Sequence, residues 1–263
     1  MKKRIGLLIA LAMVLCLAGC KDKSKTNRSD MDALRSAEIG SYIFFGEYEQ
    51  DNDESTGKEA IEWLVLDKQE DKMLVISRYG LDCQPYNTED APVTWETCSL
   101  RGWLNGEFFE TAFISEEKNV IHPSVVVSDA NPKYASPAGN DTMDRVFLLS
   151  IYEADRYFAD ATSRTCFGTP YCFAQGAYKD DDYGTCWWWL RSPGFVSSKA
   201  ANAGTNGYIQ YLGSSVVNKH SAVRPALWID LSNGEKPNTE PIAAANSTPA
   251  AKKESCIDSY DMA

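Results

Sequence analysis

The sequence predicts an α+β domain built around an antiparallel β-sheet. Two apolar runs at 61–66 and 73–77, joined by the short charged loop 67–72, are typical of an antiparallel hairpin. Two later runs, residues 187–190 and 222–231, are predicted to be core strands, and the first is apolar on both faces of an extended chain. A helical section lies between the two groups of strands, and this separation of strands from helices is typical of α+β domains.

The N-terminus has the features of a bacterial lipoprotein signal. Residues 1–19 contain three basic residues, an apolar run too short to span a bilayer, and small residues directly before Cys20. This pattern predicts cleavage before Cys20 and lipidation of its thiol, with an ordinary cleaved signal peptide as the alternative. Residues 20–38 are polar and charged, which predicts a flexible tether that begins at the lipidated Cys20.

The acidic composition limits the partners of the protein. The formal charge of −11 becomes −14 once the three basic residues of the signal are removed. An acidic surface repels phosphate backbones and anionic lipids, so no nucleic acid partner is expected. The expected partner is a membrane, bound through acyl chains on Cys20 rather than through a basic patch. We therefore expect an exported protein on the extracellular face of the cell membrane.

The first half of the domain starts with strands and continues into helices. Residues 40–48 form a β-rich run bounded by glycines, and this run precedes the hairpin to give a three-stranded meander. Thr94 is a candidate cap for a helix that closes at Asn105 and Gly106. Residues 129–144 contain several Pro and Gly turn signals, which predict a long surface loop.

The second half returns to strands. Residues 150–153 match a capping box that starts a short helix, and residues 206–207 are the turn signal of a hairpin. Pro225 cannot donate a ladder hydrogen bond, so we expect an edge or a bulge in the final strand there. Residues 39–231 are thus expected to form one domain, and the Pro-, Ala- and Ser-rich tail 232–263 is expected to be disordered.

Six cysteines remain after those of the signal and the anchor are set aside, and an exported location permits disulfides. Short loop closures favour disulfides between Cys83 and Cys98 and between Cys166 and Cys186, each worth about 3 kcal/mol. No Cys-x-x-Cys pair occurs and the chain has two histidines, so a zinc site is not expected. The states of two cysteines stay open: Cys172 and Cys256.

Three residues of the aromatic strands are candidates for ligand binding. Arg191 and Arg224 follow or interrupt these strands, and each could stack on an aromatic ring or clasp a ligand carboxylate. Trp188 and its flanking tryptophans could form a platform that stacks on a sugar. The favoured alternatives are core packing for the tryptophans and internal ion pairs, with Asp230 or Glu62, for the arginines.

The remaining polar clusters predict no catalytic site. Residues 180–182 are three aspartates before Gly184, which suit a calcium ion, although a solvated acidic turn is the favoured interpretation. Neither His122 nor His220 lies in a serine-elbow or Cys-His pattern. We therefore expect no catalytic residue and no cofactor, with calcium as a weak alternative.

Four stretches in succession resemble a bacterial domain of unknown function, family 6273. They are residues 57–67, residues 93–101, the motif CWWWLRSPG at 186–194 and the motif AVRPALWI at 222–229. The resemblance extends over about residues 39–231. It implies a domain common in exported and surface proteins, without an assigned activity.

The closing half is also distantly similar to the C-type-lectin-like fold of formylglycine-generating enzymes and their non-catalytic relatives. This similarity implies a twisted antiparallel sheet, short helices and long irregular loops. Cys166 and Cys172 are similar to the two reactive thiols of those enzymes, which bind copper. The surrounding motif does not match here, so the copper site is not carried over, and a disulfide that uses Cys166 is favoured.

These observations lead to one expected function and two alternatives. We expect a lipid-anchored surface protein with a non-catalytic domain that binds a glycan or another surface protein. The first alternative is a diverged oxidase of the formylglycine-generating type. The second is a structural component of the cell envelope.

Overall fold

The computed structural model describes residues 28–232 of the 263-residue chain. The predicted signal peptide, the lipidation site Cys20, the tail beyond residue 232 and Cys256 lie outside the described residues. In the stretch from residue 28 to residue 232, no helix combines the length and the apolar character needed to cross a membrane.

The described residues form an α+β fold of fourteen strands and short helices. The helices are α1 (Arg28–Ser36), α2 (Ser99–Trp103), α3 (Phe109–Ala112), α4 (Ser115–Lys118), α5 (Ile151–Tyr157), α6 (Ala161–Arg164) and α7 (Pro170–Ala174), with a 3₁₀ turn at Trp95–Thr97 and a π turn at Leu104–Phe108. The strands are β1 (Tyr42–Tyr48), β2 (Glu59–Gln69), β3 (Lys72–Ser77), β4 (Asp82–Cys83), β5 (Ser124–Val126), β6 (Thr142–Asp144), β7 (Val146–Phe147), β8 (Cys166–Phe167), β9 (Thr185–Cys186), β10 (Trp188–Pro193), β11 (Lys199–Ala203), β12 (Ile209–Ser215), β13 (Ala222–Val223) and β14 (Ala226–Asp230).

The first sheet is antiparallel and has the strand order β1-β2-β3-β14-β7. It contains the predicted meander, because β2 and β3 pair as a hairpin with Val65 opposite Val75. Strand β14, more than 140 residues away in the chain, pairs with β3 over its whole length and places Trp228 opposite Leu74. The alternating pattern of β2 buries Ile61, Trp63 and Val65 beneath this sheet.

The second sheet has the order β12-β11-β10-β13-β4 and is not purely antiparallel, because β10 and β13 run parallel. Strands β11 and β12 form the hairpin that residues 206–207 predict. Two further sheets are two-stranded, β5 with β6 and β8 with β9. The prediction of an α+β fold is confirmed, and the structure adds that its strands divide between two main sheets.

The tryptophan strand β10 lies in the interior of the second sheet, as its apolar faces predict. The side chains of Trp188 and Trp189 are fully buried, and the rings of Trp187 and Trp189 meet edge to face at 5.5 Å. Each buried indole N–H has a partner: Trp188 donates to the carbonyl of Arg164 at 3.1 Å and Trp189 to that of Gln84 at 3.0 Å. Core packing is therefore confirmed for these tryptophans.

Pro225 separates two strands where the sequence predicts one. Strand β13 ends at Val223 in the second sheet, and β14 begins at Ala226 in the first. Pro225 has no N–H to donate, while its carbonyl accepts a hydrogen bond from the Ser77 N–H at 2.9 Å. The chain thus leaves one sheet and joins the other at Arg224 and Pro225, and the two sheets share one apolar core.

The helical section is longer than predicted. Helix α2 continues through the π turn into α3, so the chain stays helical past Asn105 and Gly106, where the sequence predicts an end. Asn105 does not cap the helix here. Its side-chain amide donates to the Val146 carbonyl at 2.8 Å, and its oxygen accepts from the Arg145 N–H at 2.8 Å. The Asn105 side-chain groups, which predicted a helix end, instead bind the backbone at β7, and the helix continues.

Part of the predicted tether packs against the domain. Helix α1 lies within residues 20–38, and Leu34 on this helix is buried. The Arg35 guanidinium donates to the Leu231 carbonyl at 2.9 Å, and the Lys68 ammonium donates to the Ala37 carbonyl at 2.9 Å. The flexible-tether prediction is therefore wrong for residues 28–38, because a polar segment with a few apolar residues finds partners on the sheet.

Candidate functional site

A surface groove of about 410 Å³ lies beside strands β1 and β2. The aromatic side chains of Phe44 and Tyr79 form part of its lining, and Phe44 is 68% exposed. Two carboxylates, Glu59 and Glu62, project from β2, and residues 168–170, at the start of helix α7, also line the groove. The groove therefore combines apolar ring surface with acceptors of hydrogen bonds, as ligand sites commonly do.

A cluster of carboxylates stands at one end of this groove. Oxygens of Glu49, Asp51 and Glu59 lie within 4.8 Å of one another. Partial desolvation and the neighbouring carboxylates of Glu59 and Asp51 raise the pKa of Glu49. The Glu59 carboxylate is held in place because it accepts the N–H of Gln50 at 2.7 Å and that of Asp51 at 3.3 Å. Such oxygens attract hydroxyl and cationic groups.

The three aspartates at 180–182, the weak calcium candidate, are arranged differently. The Asp180 carboxylate accepts the N–H of Asp182 at 3.1 Å and that of Tyr183 at 3.0 Å, so it closes its own turn. These backbone bonds lower the pKa of Asp180, with that from Tyr183 as the main cause. The structure thus gives this carboxylate a local structural role, in agreement with the favoured interpretation.

Arg191 is buried in an internal ion pair. Its guanidinium makes a two-nitrogen contact with the Glu153 carboxylate, and one of the two bonds measures 3.0 Å. The remaining donors reach the carbonyl of Leu148 at 2.8 Å and that of Val127 at 2.9 Å. With 2% of Arg191 exposed, the side chain connects α5 with two backbone segments and presents no surface to a ligand.

The partner of Arg191 differs from the two carboxylates that the sequence proposes. Glu62 pairs instead with Arg78 at 2.8 Å on the surface, and Asp230 pairs with His122 at 3.0 Å. The general expectation of an internal pair holds for Arg191, but Glu153 provides it. Glu153 was identified only as a residue of the capping box, which the structure also forms at Ser150.

Arg224 is enclosed by aromatic rings. Its guanidinium lies 5.0 Å from the centre of the Trp188 ring and 5.3 Å from that of Phe158, and its Nε donates to the Ser77 carbonyl at 2.9 Å. The side chain is 3% exposed, yet Nη1 has no hydrogen-bond partner among the described residues. Ring stacking by Arg224 is thus observed within the protein, and ligand binding by Arg191, Arg224 and Trp188 stays a prediction that their burial does not favour.

All five described cysteines are buried and carry free thiols. The Cys83 sulfur contacts the Lys219 carbonyl at 3.0 Å, whereas the Cys98 sulfur contacts the Trp95 carbonyl at 3.4 Å. These two thiols have separate partners, because Cys83 lies on β4 in the second sheet and Cys98 lies before α2. The structure thus differs from the predicted Cys83–Cys98 disulfide, and short loop length alone did not identify neighbours.

Cys166 and Cys186 are neighbours, although no bond joins them. They stand directly opposite each other in the antiparallel pair β8 and β9. Burial opposes ionisation of Cys166, but a hydrogen bond from Cys186 and the charge of Arg224 lower its pKa. The bond to Cys166, together with burial, raises the pKa of Cys186. The prediction that Cys166 and Cys186 lie next to each other is therefore confirmed, but both are free thiols and no disulfide joins them.

Asp82 is a buried carboxyl group that the sequence analysis did not identify. It accepts the Tyr48 hydroxyl at 2.5 Å and the Cys83 N–H at 2.6 Å. Burial raises the pKa of Asp82, and these hydrogen bonds oppose the effect. Its position directly after an apolar segment offered no pattern that separates it from a surface aspartate.

The sequence profile of a domain of unknown function, DUF6273, matches residues 70–231. The chain belongs to the DUF6273 family. The matched part of the DUF6273 domain includes Arg191, Arg224 and the thiol pair, whereas strands β1 and β2, with the carboxylates of the groove, precede it. No curated protein and no solved structure matches this DUF6273 chain.

Proposed function

We propose that this DUF6273 protein is exported, anchored to the outer face of the membrane by lipid on Cys20, and binds a glycan in the groove beside β1 and β2. The observation that carries the proposal is the exposed ring of Phe44 next to the carboxylates of Glu59 and Glu62. A sugar ring offers C–H groups that stack on an aromatic face and hydroxyls that donate to carboxylates. The lipoprotein-type N-terminus supports the location.

The arrangement of the groove favours binding over covalent chemistry. Glu62 is already paired with Arg78, whose guanidinium lies 4.8 Å from the ring centre of Tyr42 and 5.1 Å from that of Tyr79. These contacts order the aromatic surface before a ligand arrives, which lowers the entropic cost of binding. A non-catalytic binding domain is also what the resemblance of the sequence motifs in the closing half to the C-type-lectin-like fold implies.

A protein ligand is the second candidate, and the charge of the groove favours it. Glu49, Asp51 and Glu59 form an acidic cluster that suits a lysine or arginine side chain of a partner. Binding of this kind weakens with increasing salt, because exposed charges are screened. Stacking of a neutral sugar on Phe44 depends much less on salt, so salt dependence distinguishes the two ligands.

The test of binding uses the full chain and its Phe44→Ala variant. A glycan array and a set of basic peptides are probed with both proteins, and Phe195→Ala, which removes another exposed phenylalanine, is the matched control. We expect Phe44→Ala to weaken binding of the recognised glycan at least about tenfold, a loss of about 1.4 kcal/mol, and Phe195→Ala to leave it unchanged. If both variants bind as the wild type does, the groove is not the site.

Two further measurements address the anchor and the alternative functions. Cys20→Ala is expected to move the protein from the membrane fraction to the soluble fraction, and unchanged fractionation contradicts the anchor. Oxygen consumption in the presence of thiol peptides and copper would favour the diverged oxidase. Absence of both ligand binding and oxygen consumption, with a membrane-bound protein, would favour the structural envelope component.

A further inference from the structure

A cross-strand thiol pair lies in the two-stranded sheet of which strand β8 precedes residues 168–170 of the groove lining. Cys166 on β8 and Cys186 on β9 are direct partners in an antiparallel pair, and both side chains are buried. Directly opposite residues of antiparallel strands place their Cβ atoms about 4.5–5.5 Å apart, and a disulfide needs about 3.5–4.5 Å. The two sulfurs can therefore be joined with a small local adjustment of the strands.

The nearby Arg224 lacks the carboxylate that a buried arginine normally has. Among residues 28–232 no carboxylate forms an ion pair with it, and its Nη1 has no hydrogen-bond partner. A buried cation is costly unless an anion or a set of acceptors compensates it, and the rings of Trp188 and Phe158 compensate only in part. The Arg224 charge favours the thiolate form of both Cys166 and Cys186.

The environment shifts the pKa values of the two thiols in opposite directions. Burial disfavours the Cys166 thiolate, but the Cys186 thiol donates to it and Arg224 attracts it, so the pKa of Cys166 is lowered. The pKa of Cys186 is raised, mainly by its bond to Cys166. Because the two thiols interact directly, the pair loses one proton before the other, and the first leaves from Cys166. A thiolate with a neighbouring thiol is the arrangement that reactive dithiols use.

The position of Gly80 connects this pair with the surface. A Cβ at Gly80 would lie 3.4 Å from the Cys186 sulfur and 3.5 Å from the Cys172 sulfur, so a chain segment without a side chain passes beside both. Gly80 bridges to Gly168, and Gly168 lines the groove. The Cys186 sulfur thus lies beside a backbone segment that bridges directly to a residue of the groove lining.

We propose that Cys166 and Cys186 are a peroxide-reactive dithiol in which Arg224 is the counter-ion of the Cys166 thiolate. The thiolate attacks one oxygen of a hydroperoxide, the O–O bond breaks, and the departing oxygen leaves as water or alcohol after protonation. Cys166 is then a sulfenic acid. The Cys186 sulfur attacks the Cys166 sulfur, an S–S bond forms and the S–O bond breaks. The hydroxide takes the Cys186 proton and leaves as water, so two thiols are oxidised and one peroxide is reduced.

The experiment uses the reduced full chain and hydrogen peroxide. We expect a disulfide between the peptides that contain Cys166 and Cys186 in mass spectrometric mapping, and a rate that reaches half its maximum below about pH 8.5, the usual thiol pKa. A Cys98→Ser control, which removes a buried thiol elsewhere, should react as the wild type does. A disulfide formed instead with Cys172, or a half-maximal rate at or above pH 8.5, overturns the proposal.

The role of Arg224 is tested separately. Arg224→Met should lower the rate at pH 7 about tenfold and shift the pH profile upward by about one unit, because the thiolate loses its counter-ion. Arg224→Lys, which keeps the charge, should recover most of the rate. An unchanged profile in a folded Arg224→Met protein refutes the counter-ion role. If that variant does not fold, the wild-type pH profile and the mapped bond decide the proposal.

Discussion

Replacement of Arg191 by methionine tests how strongly the buried ion pair holds the domain together. The substitution keeps an unbranched apolar stem of similar shape but removes every hydrogen bond to Glu153, Leu148 and Val127. Breaking a fully buried pair costs about 3–5 kcal/mol, because the remaining charge loses its compensation. Glu153 is 24% exposed on its side chain and can be partly rehydrated, which places the expected loss near the lower end, about 3 kcal/mol.

Urea unfolding of the full-length variants measures this loss as a lower midpoint with an unchanged slope. Arg78→Met is the matched control, since its pair with Glu62 has an arginine side chain that is 42% exposed. Surface pairs of this kind contribute about 0–1 kcal/mol. A loss below about 1 kcal/mol for Arg191→Met, equal to that of the control, would refute the reasoning.

Three more predictions concern buried polar groups and glycine. Burial raises the pKa of Asp82, so its stabilising contribution is present below about pH 4 and is lost as the pH rises through the higher native value. In urea unfolding, the free energy of unfolding of the wild type should therefore fall relative to that of Asp82→Asn as the pH rises from 4 to neutrality. A difference between the two free energies that stays constant with pH contradicts this. Gly207 has a φ of 75°, and a Cβ there would lie 1.7 Å from the Ala161 carbonyl oxygen. Gly207→Ala should lower the melting temperature more than Gly57→Ala, which has a φ of 84° but open space around it, and equal shifts would exclude the clash. Asn105→Ala should cost about 1–3 kcal/mol in urea unfolding, because it leaves backbone groups at β7 without partners; a loss under about 0.5 kcal/mol would show that water replaces them.

Features that depend on neighbouring residues were predictable. The hairpin of β2 and β3 follows from two apolar runs on either side of a short charged loop. The helix α5 begins where the capping box at Ser150 and Glu153 predicts, since the cap bonds form within one turn. The burial of Trp188 follows from a strand that is apolar on both faces.

Features that depend on contacts between distant segments of the chain could not be predicted from the sequence. Short loop closure suggested Cys83 and Cys98 as partners, although the fold places these thiols against different carbonyls. The final strand was treated as continuous, and only the two sheets show that the chain changes sheet at Pro225. The predicted helix end at Asn105 was wrong, because the side-chain groups that can cap a helix can also form hydrogen bonds with a neighbouring strand.

The sequence by itself determined the α+β class, the family, the buried aromatic strand and the expectation of an anchored, acidic surface protein. Local periodicity, composition and motif order carry that information, because each depends on residues close together in the chain. Tertiary structure alone decided that Glu153 compensates Arg191 and that Cys166 faces Cys186 with Arg224 nearby. It also joined the carboxylates of β2 with residues 168–170 in one groove. Coulombic and hydrogen-bond partners act over a few ångströms in space, whereas these residues are about 20 to 110 positions apart in the chain.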